Sequence, residues 1–151
     1  MSQHRFWKDD PACIVAAFRD HLSSTTVKTF HAVIREHQSD VVQRSCVGYI
    51  HEGTVTSRRA LKAIGKMIGD RELRMDAWVC CIAGSGFWAA TGRGMAASVM
   101  LAINPTAPVH LPATMEQTVR WLEKRGLPTP ALEVQREVIA FGESDRPIKE
   151  R

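Results

Sequence analysis

The stretch from Trp78 to Ile103, WVCCIAGSGFWAATGRGMAASVMLAI, leaves few folds open to the chain. It begins with an unbroken apolar run, Trp78 to Ala83, of the length of one strand. A strand that is apolar on both faces needs cover on both sides of its sheet. Gly84-Ser85-Gly86 breaks the run. Small and apolar residues follow with no acid among them, and Met95, Val99, Met100 and Ile103 recur at spacings of three and four, the period of a helix. Strand, glycine turn and returning helix form a crossover unit, which predicts a parallel α/β core.

The flanking residues supply further units of the same kind. Arg5 to Lys8 predicts a short strand, Asp9-Asp10-Pro11 a turn, and Cys13 to Phe18 a second strand, together a hairpin at the sheet edge. Ser23 to Thr26 offers N-caps for a helix carrying Val27, Phe30, Val33 and Ile34 on one side. Cys46 to Ile50 predicts a third strand. Thr56 or Ser57 opens a second helix, with Leu61, Ile64, Met67 and Ile68 as its buried stripe and Arg58, Arg59, Lys62 and Lys66 toward solvent, and Gly69-Asp70 stops it. After the central unit, Val109 to Leu111 predicts a fifth strand. Thr114 then caps a helix with Val119, Trp121 and Leu122, ended by Gly126. Leu132 to Phe141 predicts a last helix, and Glu143 to Arg151 a mobile charged tail. The expected fold is α/β, a mixed and mostly parallel sheet in the order β-β-α-β-α-β-α-β-α.

Composition narrows the function classes. A chain of 151 residues, 44% of them hydrophobic, holds enough apolar material for the core of one domain. Lys and Arg exceed Asp and Glu by 20 to 16, and the excess is dispersed, so the basic stripe of a nucleic-acid binder is absent. The longest uncharged run, Gly94 to Met115, is interrupted by Asn104, Pro105, Pro108 and Pro112, so no membrane span is expected. The first residues lack the apolar core of a signal peptide, and a cytoplasmic location is expected. Cys13, Cys46, Cys80 and Cys81 show no C-x-x-C spacing and read as small core residues in a reducing compartment. His31 and His37 are six apart and share no helical face, so no metal pair is expected.

The element order, with a hydroxyl-bearing turn after the third strand and a Gly-x-Gly turn after the fourth, resembles the STAS fold of anti-sigma-factor antagonists, the SpoIIAA-like group. Within it, the run Ala83 to Ala90, together with Asn104-Pro105 and the helix start Thr114-Met115-Glu116-Gln117, is similar to an uncharacterised bacterial branch. The resemblance covers about residues 5 to 126, so residues 1–127 read as a STAS-like domain and 128–151 as a C-terminal helical segment and charged tail. It implies a non-enzymatic module for protein binding in signalling and regulation. In that family a Ser or Thr at the start of the helix after the third strand is phosphorylated, and the added charge ejects a partner. The matching turn here is Gly53-Thr54-Val55-Thr56-Ser57. No Asp precedes these hydroxyls, unlike the family's Asp-Ser pair, so Thr54, Thr56 and Ser57 are candidates either for a phosphosite beside Arg58 and Arg59 or for a plain helix cap.

The residues themselves leave two functional readings. Gly84-Ser85-Gly86-Phe87-Trp88-Ala89 fits G-x-G-x-x-A, which raises a small-ligand or nucleotide site on the Gly84–Gly86 turn, with Arg93 as an anion partner. Against it, the turn follows the fourth strand, Phe87 and Trp88 crowd the phosphate position, and no acid lies between Asp76 and Glu116 to hold a ribose. Ser85 lies outside any G-x-S-x-G elbow, and no His and Asp pair can be assigned to it, so no catalytic constellation and no cofactor is expected. The other reading is a protein-docking surface formed by Thr54 to Arg59 and Ser85 to Trp88, with a homodimer left open. Its aromatics have a more economical alternative, in which Phe87 and Trp88 simply pack in the core.

Overall fold

A computed structural model describes residues 2–37, 43–103 and 105–143. In chain order the elements are β1 (His4–Trp7), β2 (Cys13–Phe18), β3 (His21–Leu22), α1 (Ser24–Glu36), β4 (Ser45–Ile50), β5 (Val55–Thr56), α2 (Arg58–Ile68), a 3-10 turn (Arg71–Leu73), β6 (Ala77–Ile82), α3 (Phe87–Ala102), β7 (Val109–His110), α4 (Met115–Lys124) and α5 (Leu132–Glu143). The main sheet runs β1-β2-β4-β6-β7, with β1 antiparallel to β2 and every other neighbour parallel. The mixed, mostly parallel α/β architecture expected from the apolar runs is therefore present. A second, two-stranded parallel ladder was not expected. It joins β3 to β5 and turns the supposed loop before α2 into a short strand.

From β2 to β7 the strands advance across the sheet in one direction. Right-handed crossovers then place α1, α2 and α3 on the same face. There Ile14, Phe18, Ile50 and Trp78 pack with Phe30, Ile64 and Met67. On the other face Val15, Val47, Val79 and Cys81 pack with Met115, Leu122 and Val138 from α4 and α5. Two-sided cover is why all six residues of β2 are buried.

Caps begin three of the helices where the hydroxyls predicted. Ser23, Ser57 and Thr114 accept from the backbone N–H of Thr26, Ala60 and Gln117 at 3.2, 3.1 and 3.0 Å. At the opposite end of the sheet, buried Arg44 donates to the carbonyls of Pro11, Leu73 and His37, while its own N–H donates to Asp76. One side chain thereby satisfies three loop carbonyls that would otherwise face apolar surroundings.

The C-terminal helix belongs to this body. Trp7 Nε1 and Arg5 donate to Glu137 at 2.7 and 3.0 Å, Arg19 donates to the carbonyl of Phe141, and His51 Nε2 donates to that of Val138. A Cβ at Gly142 would fall within the His51 ring, so α5 lies this close only because residue 142 has no side chain. Of the tail expected from Glu143 to Arg151, Glu143 ends α5, and residues 144–151, like Asn104, lie outside the described residues.

Candidate functional site: a cleft beneath α3

Two loops leave the sheet at the C-terminal ends of β4 and β6. In the first, Thr54 Oγ1 donates to the His51 carbonyl at 2.7 Å before the chain enters β5. In the second, Gly84 has φ +121°, where L side chains are strained, and a Cβ there would meet Ala89 Cβ at 3.1 Å and the Glu52 side chain at 3.2 Å. Arg93 reaches back from α3 to the carbonyls of Ile82 and Gly84 at 2.8 and 2.9 Å and clamps this turn.

Between the two loops and α3 lies a cleft of about 750 Å³. Ile50, Ile64, Cys80 and Ile82 line its depth, Thr54, Val55 and Thr56 one lip, and Phe87, Trp88 and Met95 the other. The core reading of the two aromatics is overturned, because Phe87 is 75% and Trp88 82% exposed. The burial of α3 supplies the reason: its two buried residues, Ala96 and Met100, both lie in the second half of the helix, so the first turn leaves its aromatics uncovered. They contact each other edge to face, with centroids 5.5 Å apart.

No family model, no curated protein and no solved structure matches this chain. The site must therefore be read from its own chemistry. Of the residues singled out by sequence, the fold brings Thr54, Thr56, Phe87 and Trp88 around one cleft, although the two stretches lie about thirty residues apart. Ser57, Arg58, Arg59, Ser85 and Arg93 are not part of its lining. Ser57 caps α2, Arg58 and Arg59 are exposed on its first turn, and Ser85 is exposed in the glycine turn.

The electrostatics of the turn oppose an anion. Glu52 leans over Gly84, where a phosphate would approach, and the Arg93 expected to attract one is already bonded to the loop carbonyls. The parallel strands also never reverse direction across the sheet, so the crevice that holds dinucleotides in doubly wound folds has no counterpart. On the cleft wall, desolvation pushes the Cys80 thiol up to about 12, so it stays protonated and is a poor nucleophile at neutral pH. Among the described residues, no group of three or more His, Cys, Asp or Glu is placed to hold a metal ion. In the same set no helix is long and apolar enough to cross a membrane.

Sequence reasoning missed the exposure of Val55, Met95 and Leu101, which are 63%, 54% and 89% exposed. For Met95 and Leu101 the available signal was that α3 has apolar residues on every side and so cannot bury them all against one sheet.

Proposed function

We propose that this chain is a non-enzymatic protein-docking module of the STAS type, a cytoplasmic regulatory or scaffold component whose contact surface is the cleft rim. One observation carries the reading. The rim gathers Val55, Phe87 and Trp88, all mostly exposed, from two separate stretches of chain. Exposed apolar side chains gathered around one opening mark interaction sites, and exposed aromatics are the usual anchors of interfaces. Arg58 and Arg59, exposed on the first turn of α2, give this apolar surface a basic border. Phosphorylation at Ser57 would put negative charge at the N-terminus of α2 beside these arginines and change that border. The test is to replace Phe87 and Trp88 together with alanine. Partner capture should be lost while the melting temperature is preserved, and an unchanged set of captured proteins would sink the reading.

The cleft volume favours a second reading, a small-ligand protein. A volume of about 750 Å³ lies within the ordinary range for ligand pockets. An inner cavity of about 40 Å³ shares Ile50, Ile64 and Cys80 with it. The lining suits an apolar ligand better than the nucleotide suggested by Gly84–Gly86. Thermal shifts with fatty acids and with nucleotides separate the two, and stabilisation by neither eliminates the ligand reading.

A further inference from the structure

The exposed face of α3, of which Phe87, Trp88, Thr91 and Met95 border the cleft, has a regularity that the cleft alone does not require. Phe87, Gly94 and Leu101 form one exposed row with a spacing of seven, Trp88, Met95 and Ala102 form another, and exposed Thr91 and Ser98 lie between them. A seven-residue spacing keeps each row on one side of a helix over its whole length. Across this face α3 carries no charge, since its one ionisable residue, Arg93, turns into the glycine loop.

We infer that the partner of this face is a second copy of the same chain, with the two α3 helices packed antiparallel about a two-fold axis near Gly94 and Met95. This deepens the docking reading above and rests on it. The pattern is self-complementary under such an axis. Gly94 meets Gly94 of the second copy and lets the backbones approach, Met95 meets Met95, Trp88 covers Ala102, Phe87 meets Leu101, and Thr91 faces Ser98. Large side chains thus lie over small ones or share the flanks, and no like charges meet, as an isologous interface requires.

The area is also sufficient. Phe87, Trp88, Met95 and Leu101 are 75%, 82%, 54% and 89% exposed. With aromatic side chains burying about 150–250 Å² each, the face offers on the order of 500 Å² per copy. The pair reaches roughly 1,000 Å², the lower bound for a specific interface. A heterologous partner steered by charge would find nothing on this face to steer it.

Sedimentation of the full chain across a concentration series tests the inference. A reversible dimer is expected, and Leu101→Arg should weaken it about tenfold or more by burying a charge in the interface. Lys62→Glu, on the exposed side of α2, should leave it unchanged. Met95→Cys should form a covalent dimer under mild oxidant, whereas Lys62→Cys should not. Both α3 positions are exposed, and circular dichroism checks that the variants fold. A monomer at every concentration overturns the inference, as does a dimer indifferent to Leu101→Arg that Met95→Cys fails to cross-link. A monomer that captures another protein through Phe87 and Trp88 overturns self-pairing alone and leaves the docking reading in place. A dimer broken by Leu101→Arg with no third protein captured upholds self-pairing and limits the docking reading to it.

Discussion

Helices α2 and α3 cross the same face of one sheet, yet they are held there very differently. In its eleven residues α2 buries Ala60, Ala63, Ile64, Gly65, Met67 and Ile68, keeps its basic residues outward, and starts from the Ser57 cap. In sixteen residues α3 buries only Ala96 and Met100, and its N-cap, Gly86, offers no side chain. Segregation of polar from apolar residues accounts for the difference. A helix with one apolar stripe has one way to lie down, and a helix apolar all round satisfies the sheet with a few residues and leaves the others for something else. The well-seated helix contributes stability, and the loosely seated one supplies the surface on which the functional readings depend.

The largest test of this contrast uses one residue type at two sites. Met67 is 6% exposed in α2, and Met67→Ala should destabilise the fold by about 2–5 kcal/mol in urea unfolding, the range for buried large-to-small changes. A value near that of a surface site would mean that α2 is no better packed than α3. On the opposite face, Gly142→Ala drives a methyl into the His51 ring. It should lower stability by about 1–3 kcal/mol, measured as a fall in melting temperature, and no change would mean that α5 sits farther from the sheet.

The next test concerns the tie between α1 and the end of α2. His31 and Arg35 bond Asp70 at 2.7 and 2.8 Å. These bonds, His31 first and against the opposing pull of burial, hold the Asp70 carboxyl below its ordinary 3.8. A depressed acid stabilises the fold above its unfolded pKa and loses that contribution as pH falls through the folded one. Asp70→Asn should therefore lower stability by about 1 kcal/mol at neutral pH, with the gap to the parent protein closing below about pH 4. A gap that persists in acid would assign the effect to packing.

Smaller effects are expected on α3. Gly86 has extended backbone and open space where a Cβ would stand, so Gly86→Ser should supply the missing cap and raise stability by a few tenths of a kcal/mol. In dilute solution Met95→Ala should stay within about 0.5 kcal/mol of the parent protein. A loss as large as that of Met67→Ala would show that α3 is packed after all.

The strands and helices were legible from local pattern because each apolar run or stripe needed only itself to declare its period. Cys13 to Phe18, Cys46 to Ile50 and Trp78 to Ala83 fall within a residue or so of β2, β4 and β6. Ser57 and Thr114 cap α2 and α4 as their short polar side chains suggested. Other features had no local signature. The two-residue pairing of β3 with β5 is too short to show a period, and Arg44 is buried because the carbonyl of nearby His37 and those of Pro11 and Leu73 from distant loops converge on it. Phe87 and Trp88 looked like core residues because hydrophobicity records an affinity for cover without saying whether cover is available.

The amino-acid order by itself determined the parallel α/β framework, the helix caps and the glycine at position 84, since each follows from side-chain periodicity, hydrogen-bonding capacity or backbone sterics within a few residues. Tertiary structure alone decided that Val55 and Thr56 stand across a cleft from Phe87 and Trp88, and that the outer face of α3 stays bare. Those outcomes depend on how far a helix stands from a sheet. That distance is set by the summed packing of residues remote from one another along the chain.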